Sequence, residues 1–208
     1  AASLHNTVIL PYLVRHGTEE QKKRLLPCIA EGGLASLAIT EPTAGSDATG
    51  MTTRFTPDGD EIVVEGAKTF ITSGDVADRI LLFGKWSEIE EPRAAISVLV
   101  LEKGTPGLRV VSKESKMGHR ASSTCGLAFE GCRVPRANLI GAPGSGLATL
   151  LASLNKSRPS IAAHALGIAR AAFGDAVGYM NEREQSGQRV IDFQGNQFIL
   201  ADLASELA

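Results

Sequence analysis

The chain has 208 residues, of which 43% are hydrophobic and 21% are charged, a balance typical of a globular protein with a buried core. Its 21 basic and 23 acidic side chains give a net charge of −2, which argues against nucleic acid or an anionic membrane surface as a partner. No run of about 18 apolar residues occurs, so we expect no membrane span. A secretory leader is not expected either, because the first residues lack a basic stretch followed by an apolar one.

The cysteines and histidines indicate neither a disulfide framework nor a metal site. Cys28, Cys125 and Cys132 are odd in number, their spacing is not that of a zinc site, and the four histidines are scattered. A reducing compartment inside the cell is therefore the simplest interpretation.

Residues 1–33 are predicted to be helical. An apolar stripe ends at Gly17, and the four residues that follow it have the form of a capping box, with Thr18 as the N-cap and Gln21 reaching back to it. The helix that this box opens contains Pro27, which we expect to interrupt it because proline cannot donate a backbone hydrogen bond.

Residues 34–140 show the pattern of a β domain. Short apolar or alternating runs recur between turn residues, with no helices alternating between them, which favours a small antiparallel barrel or sandwich over a parallel nucleotide-binding sheet. About seven strands are predicted, at residues 34–40, 52–56, 61–65, 80–83, 95–101, 108–112 and 126–129.

Residues 141–208 return to helical spacing and predict the start of a helical bundle. Pro159 should kink or split the first helix, and the polar stretch 181–189 should end it before a second amphipathic helix begins. The fold class predicted for the whole chain is α+β: a helical segment, a central antiparallel β barrel or sandwich, and then helices.

One segment has the character of a ligand-binding turn. In residues 38–50 an apolar run ends in Thr40-Glu41-Pro42, and a turn rich in glycine, serine and aspartate follows, which can present N–H groups and hydroxyls to a ligand. This segment resembles one in the acyl-CoA dehydrogenase family. Four others resemble the same family in the same order, at residues 17–27, 70–74, 117–122 and 155–159.

The resemblance implies a helical, seven-stranded β-barrel and helical architecture with FAD as cofactor. It also implies that most of the family's N-terminal and C-terminal helical domains lie outside this chain. One group of residues would contact the FAD: Leu37, Ile39, Thr40, Ser46, Phe70, Ile71 and Thr72. Donors around Thr40 would favour the reduced flavin, which is negatively charged at its pyrimidine edge. Phe70, where the family often has Trp, would cover the ring, and Thr72 would bond to flavin N5.

A second group would reach the FAD of a neighbouring subunit, by the same resemblance. Arg183 would pair with the pyrophosphate, which suits a planar guanidinium, while Gln185, Phe193 and Gln194 would add further contacts. Ser186 departs from the family pattern, which usually has Phe there, and this departure weakens the expected packing on the adenine side.

Acyl-CoA would contact Ser46, Asn155 and Arg158, according to the resemblance. The family places its catalytic base either just before this arginine or far downstream. Because the first position is Ser157, which cannot deprotonate an α-carbon at neutral pH, we expect the base beyond Ala208.

The activity implied is FAD-dependent α,β-dehydrogenation of acyl-CoA thioesters to trans-2-enoyl-CoA, as in fatty-acid β-oxidation, with electrons passed to an electron-transferring flavoprotein. Two alternatives stay open: an acyl-CoA oxidase or flavin monooxygenase of the same superfamily, and a non-catalytic flavin-binding fragment. The resemblance also implies a homotetramer or dimer in the bacterial cytoplasm or the mitochondrial matrix, with the cytoplasm favoured.

Overall fold

The computed structural model describes residues 8–208, and the part of the predicted N-terminal apolar stripe that precedes Val8 lies outside them. The chain divides into two compact units, one extending to Lys156 and the other comprising Ser157–Ala208. The three predicted domains, with boundaries at 33/34 and 140/141, stay a prediction.

Two helices open the first unit. Helix α1 (Leu10–His16) ends at Gly17, and helix α2 (Glu19–Ala30) begins with the predicted capping box. In that box Gln21 N–H donates to Thr18 Oγ1 at 3.2 Å and Thr18 N–H donates to Gln21 Oε1 at 2.9 Å. The expected interruption at Pro27 is wrong. Pro27 lies in the last turn, where a single missing donor is tolerated, and its carbonyl still accepts from Glu31 N–H at 2.9 Å.

Seven strands follow, in agreement with the seven predicted runs. They are β1 (Ala35–Ala38), β2 (Arg54–Asp58), β3 (Glu61–Thr72), β4 (Arg79–Trp86), β5 (Ile96–Glu102), β6 (Leu108–Lys113) and β7 (Thr124–Pro135). They form one sheet in the order β1-β4-β2-β3-β7-β6, with β5 on the other side of β4. This confirms the predicted α+β fold class.

The sheet is mixed rather than purely antiparallel. β4 pairs in parallel with β1 near its start and with β2 near its end, whereas the β4–β5, β2–β3, β3–β7 and β6–β7 pairs are antiparallel. No crossover helix connects the parallel pairs among the described residues, because β1 reaches β4 through the intervening hairpin of β2 and β3. The arrangement is thus distinct from a doubly wound sheet.

Successive side chains of β4 point alternately into two different apolar cores. Ile80 and Leu82 point into a cluster to which all seven strands contribute, so the sheet curls around it. Leu81 and Phe83 point the other way, into a cluster shared with α1 and α2. Because both faces of the sheet are buried, the central strands appear in the sequence as continuous apolar runs.

The second unit is helical. It contains helix α3 (Gly146–Glu182) from Ser157 onward, and α3 passes through Pro159 without a break. The expected split at Pro159 is therefore wrong, because one lost donor is tolerated in a helix of 37 residues, whereas the kink expected as the alternative stays a prediction. After α3 come a hairpin of β8 (Glu184–Gln185) and β9 (Gln188–Arg189), and then helix α4 (Gln194–Glu206). The predicted break at residues 181–189 is confirmed. No helix in residues 8–208 is long and apolar enough to cross a lipid bilayer.

Candidate functional site

The structure brings together two segments that are about thirty residues apart in the sequence. Ser36 Oγ donates to the Thr72 carbonyl at 2.6 Å, and Thr69 N–H donates to the Thr40 carbonyl at 2.9 Å. The chain from β1 to Thr40 therefore runs beside the end of β3. Leu37, Ile39 and Thr40 border the same edge of the sheet as residues 70–72.

An irregularity in β3 exposes Phe70 at this edge. The pairing of β3 with β7 shifts register between Lys68 and Ile71, and Phe70 has a φ of 56°. A positive φ is rare for a bulky residue and marks a backbone held by its surroundings, often at a functional site. Phe70 is 63% exposed, whereas Ile71 is 2% exposed and its side chain belongs to the barrel core. Any ligand contact from Ile71 would therefore use its backbone.

Below this edge lies a buried ion pair. Lys68 Nζ is 2.8 Å from Glu41 Oε1, and the two side chains are 0% and 1% exposed. Lys68 also donates to the Ile39 carbonyl at 2.8 Å. Glu41 further accepts from Thr52 N–H at 2.6 Å, from Thr52 Oγ1 at 2.7 Å and from Thr53 N–H at 2.9 Å. The pair therefore ties three stretches of chain together.

Both members of the pair carry charge at neutral pH. Burial would raise the pKa of Glu41, but hydrogen bonds from Lys68 and Thr53 and the charge of Lys68 lower it to about 2. Burial lowers the pKa of Lys68 to about 8, against the hydrogen bond and charge of Glu41. An ionised pair excluded from water keeps its geometry because separating the charges would leave each unsatisfied.

The loop that follows Glu41 is exposed and locally ordered. Glu41 and Ala44 exchange backbone hydrogen bonds of 3.0 and 3.1 Å, and Asp47 accepts from Thr49 N–H at 3.0 Å and from Thr49 Oγ1 at 2.6 Å. Ser46 lies between these two turns and is exposed. Its predicted contact with FAD and acyl-CoA stays a prediction.

In the second unit, the remaining predicted cofactor residues share one corner. Arg183 directly follows α3 and its Nη2 lies 3.4 Å from Gln185 Oε1. Phe193 and Gln194 begin α4, and this region is tied back to the hairpin because Val190 N–H donates to the Arg183 carbonyl at 2.8 Å. Ser186, which departs from the expected pattern, occupies the hairpin turn with a φ of 53°.

The predicted substrate residues lie on α3. Asn155 and Arg158 are both exposed. Ser157 lies between them. The roles predicted for these residues stay predictions.

Sequence reasoning gave no role to Lys68 and none to the side chain of Glu41. A signal was present for Lys68, because it falls in the even-numbered phase of Ile62 and Val64, whose side chains enter the core. A lysine in a buried phase of a strand requires a buried acid. In the described part of the chain, no group of three or more histidine, cysteine, aspartate or glutamate side chains is arranged to hold a metal ion.

Comparison with known proteins accounts for nearly the whole chain. Family models described as the N-terminal, middle and C-terminal domains of acyl-CoA dehydrogenase match residues 1–33, 36–132 and 144–208. The chain belongs to the acyl-CoA dehydrogenase family. The short-chain specific acyl-CoA dehydrogenase of Clostridium acetobutylicum is 40% identical over 202 residues, which are 97% of this chain and 53% of that protein.

Solved structures of acyl-CoA dehydrogenase relatives have the same fold. A chain from Acidaminococcus fermentans, described as an electron transferring flavoprotein, matches 99% of this chain and 54% of its own length with a TM-score of 0.94 at 40% identity. A glutaryl-CoA dehydrogenase from Mycobacterium smegmatis, solved in complex with FADH2, matches 97% of this chain and 50% of its own with a TM-score of 0.88 at 30% identity. The chain spans about half the length of the relatives it matches.

Proposed function

We propose that this chain forms the flavin-holding part of an FAD-dependent enzyme that dehydrogenates acyl-CoA thioesters to trans-2-enoyl-CoA. The observation that carries the proposal is the junction of β1 with β3, where the Ser36–Thr72 and Thr69–Thr40 hydrogen bonds join the two segments expected to contact the ring. Family membership supports the reaction class, and the FADH2 complex of a relative supports the cofactor.

The side chains at this junction suit a flavin. Phe70 offers an exposed apolar ring, and the hydroxyls of Thr40 and Thr72 belong to half-buried residues at the same edge. A planar heterocycle with polar atoms along one edge needs one aromatic or apolar wall and a few fixed donors. When bound, FAD supplies a two-electron acceptor for the hydrogen removed from the β-carbon of the acyl chain.

The residues of this chain would bind the FAD and orient its ring. Thr40 would donate at one edge of the ring and Thr72 at the other, while Phe70 would exclude water from one face. Arg183 would neutralise the pyrophosphate charge of the FAD held by a neighbouring subunit, with Gln185 and the start of α4 beside it. We assign the base that removes the α-proton to none of the carboxylates in residues 8–208.

We further propose the contacts with the substrate and the identity of the electron acceptor. Ser46, Asn155 and Arg158 would contact acyl-CoA, and electrons would pass to an electron-transferring flavoprotein, in a homotetramer or dimer located in the cytoplasm. An oxidase or monooxygenase would instead reoxidise its reduced flavin rapidly with O₂. Stopped-flow reoxidation by O₂ therefore distinguishes the two enzyme classes.

The test of the proposal is flavin retention by the purified 208-residue chain. We expect addition of FAD to give the shifted, structured visible absorption band of a bound oxidised flavin, with FMN and riboflavin binding more weakly because they lack the adenylate. The matched variant Phe70→Ala should reduce binding by removing the apolar wall, and Val111→Ala, at another exposed apolar position, should not. A chain that retains no flavin absorption after incubation with excess FAD and removal of the free cofactor would refute the proposal.

A further inference from the structure

We propose that the buried Lys68–Glu41 pair is the positioning device of the flavin site: it sets the orientation of the Ile39–Thr40 peptide that faces the ring. This inference rests on the proposed function and adds to it two residues that do not themselves touch the cofactor.

The contacts lead from the pair to the peptide. Lys68 Nζ donates to the Ile39 carbonyl and to Glu41 Oε1, both at 2.8 Å. Glu41 directly follows Thr40. Lys68 therefore binds the Ile39–Thr40 peptide on one side of Thr40 and the Glu41 side chain on the other. The Thr40 carbonyl is fixed separately, by Thr69 N–H at 2.9 Å.

Peptide geometry converts this anchoring into an orientation. The described chain has no cis peptide bond, so the N–H of Thr40 points opposite to the Ile39 carbonyl in their shared peptide plane. Because that carbonyl accepts from the Lys68 ammonium, the Thr40 N–H points away from the ion pair. A donor aimed away from the pair beside the Thr40 hydroxyl suits the electron-rich edge of a reduced flavin.

The anchor is rigid because its charged partner is anchored as well. Glu41 accepts from Thr52 N–H at 2.6 Å and from Thr53 N–H at 2.9 Å, and neither charged side chain is exposed by more than 1%. A neutral hydrogen bond could open to water at little cost, whereas opening this pair would leave two charges unsatisfied. The arrangement thus holds the peptide in the absence of ligand.

The experiment compares four forms of the 208-residue chain: the wild type, Lys68→Met, the double variant Glu41→Gln/Lys68→Met, and Lys22→Met. Lys22 is the matched control, because it forms an ion pair with Glu19 at the same 2.8 Å distance but on the surface of α2. Two quantities are measured: hydrogen–deuterium exchange of the peptide covering residues 37–41 without flavin, and the dissociation constant for FAD.

We expect exchange in residues 37–41 to be about tenfold faster and FAD binding to be about tenfold weaker in both Lys68 variants. The double variant removes the uncompensated carboxylate, so it should recover most of the stability that Lys68→Met loses, while keeping the faster exchange and the weaker binding. Lys22→Met should match the wild type. If Lys68→Met does not fold, the exchange and FAD affinity of the double variant alone provide the test.

A double variant with wild-type exchange and wild-type FAD affinity would overturn the inference and reduce the pair to a stabilising contact. Failure of the proposed function looks different, because the wild type itself would then bind no FAD. The exchange measurement, which needs no flavin, would still judge whether Lys68 fixes the peptide.

Discussion

The carboxylate of Glu41 has hydrogen-bond partners that exist only in the folded chain, namely Lys68, Thr52 and Thr53. Its folded pKa of about 2 lies below the usual pKa of 4.5 of a free glutamate carboxyl. The folded state therefore binds fewer protons than the unfolded state between these values. The stabilisation from Glu41 is complete above pH 4.5 and is lost as the pH falls towards 2.

Substitution of Glu41 by Gln should consequently destabilise the chain in a pH-dependent way. At pH 7 we expect the free energy of unfolding to fall by about 3–5 kcal/mol, because Lys68 loses its counter-charge and must either stay buried as an unpaired ammonium or release its proton. The gap from the wild type should narrow as the pH is lowered from 4.5 to 2, where Glu41 itself becomes protonated. Urea unfolding at several pH values measures the gap, with the exposed Glu19→Gln as control. A gap that does not change with pH would contradict the assignment.

Thr72 is predicted to bond to flavin N5 from the edge that Phe70 exposes. In the flavin-loaded enzyme, Thr72→Val should slow flavin reduction by an acyl-CoA about tenfold, since one hydrogen bond is worth about 0.5–1.5 kcal/mol and valine keeps the β-branched shape. Thr56→Val is the control, because Thr56 is exposed on β2. Thr53 is unsuitable as a control, since its side chain is buried and its hydroxyl donates to the Ala67 carbonyl at 3.4 Å. Equal single-turnover rates for the Thr72 and Thr56 variants would mean that Thr72 does not reach the ring.

At the scale of elements, the ends of the helices could be predicted from neighbouring residues, whereas the extent of a strand could not. The capping box of α2 and the end of α1 at Gly17 follow from neighbouring residues and are confirmed. β3 was predicted only for residues 61–65, but it continues to Thr72. Its apolar alternation ends at Val64 because Gly66 and Lys68 occupy the next positions of the buried phase, and the pairing with β7 then shifts register between Lys68 and Ile71. Such an irregularity interrupts the period of two from which strands are recognised.

The capping box of α2 also anchors the helix to the barrel. Besides accepting from Thr18 N–H, Gln21 donates through Nε2 to the carbonyls of Ala137 at 2.9 Å and Leu139 at 2.7 Å. We therefore expect Thr18→Ala to lower the free energy of unfolding by about 1 kcal/mol, the usual contribution of an N-cap. Gln21→Ala should lower it by about 1–3 kcal/mol, because it also leaves two carbonyls without their donor. Urea unfolding ranks the variants, with the exposed Glu20→Ala as reference. A Gln21 variant no less stable than the Thr18 variant would show that the anchor contributes nothing.

At the scale of the whole molecule, strand number could be predicted but strand pairing could not. The parallel contacts of β4 with β1 and β2 join runs that look alike in sequence, and nothing local indicates which neighbour each will choose. The same reasoning applies to the candidate site. Its two segments were identified singly by resemblance, but the Lys68–Glu41 pair beneath them joins residues 27 positions apart and emerges only from the fold.

The two compact units should unfold separately. The apolar core lies in the first unit, whereas no buried hydrophobic residue occurs from Ser157 to Ala208 and several large apolar side chains there, including Phe198 and Ile199, are exposed. A helical unit with so little burial has little free energy to resist denaturant. Trp86, the single tryptophan, is 2% exposed within the barrel core and reports on the first unit alone. We expect much of the helical circular dichroism to be lost at lower urea concentration than the Trp86 fluorescence change. Coincident transitions would instead indicate one cooperative unit.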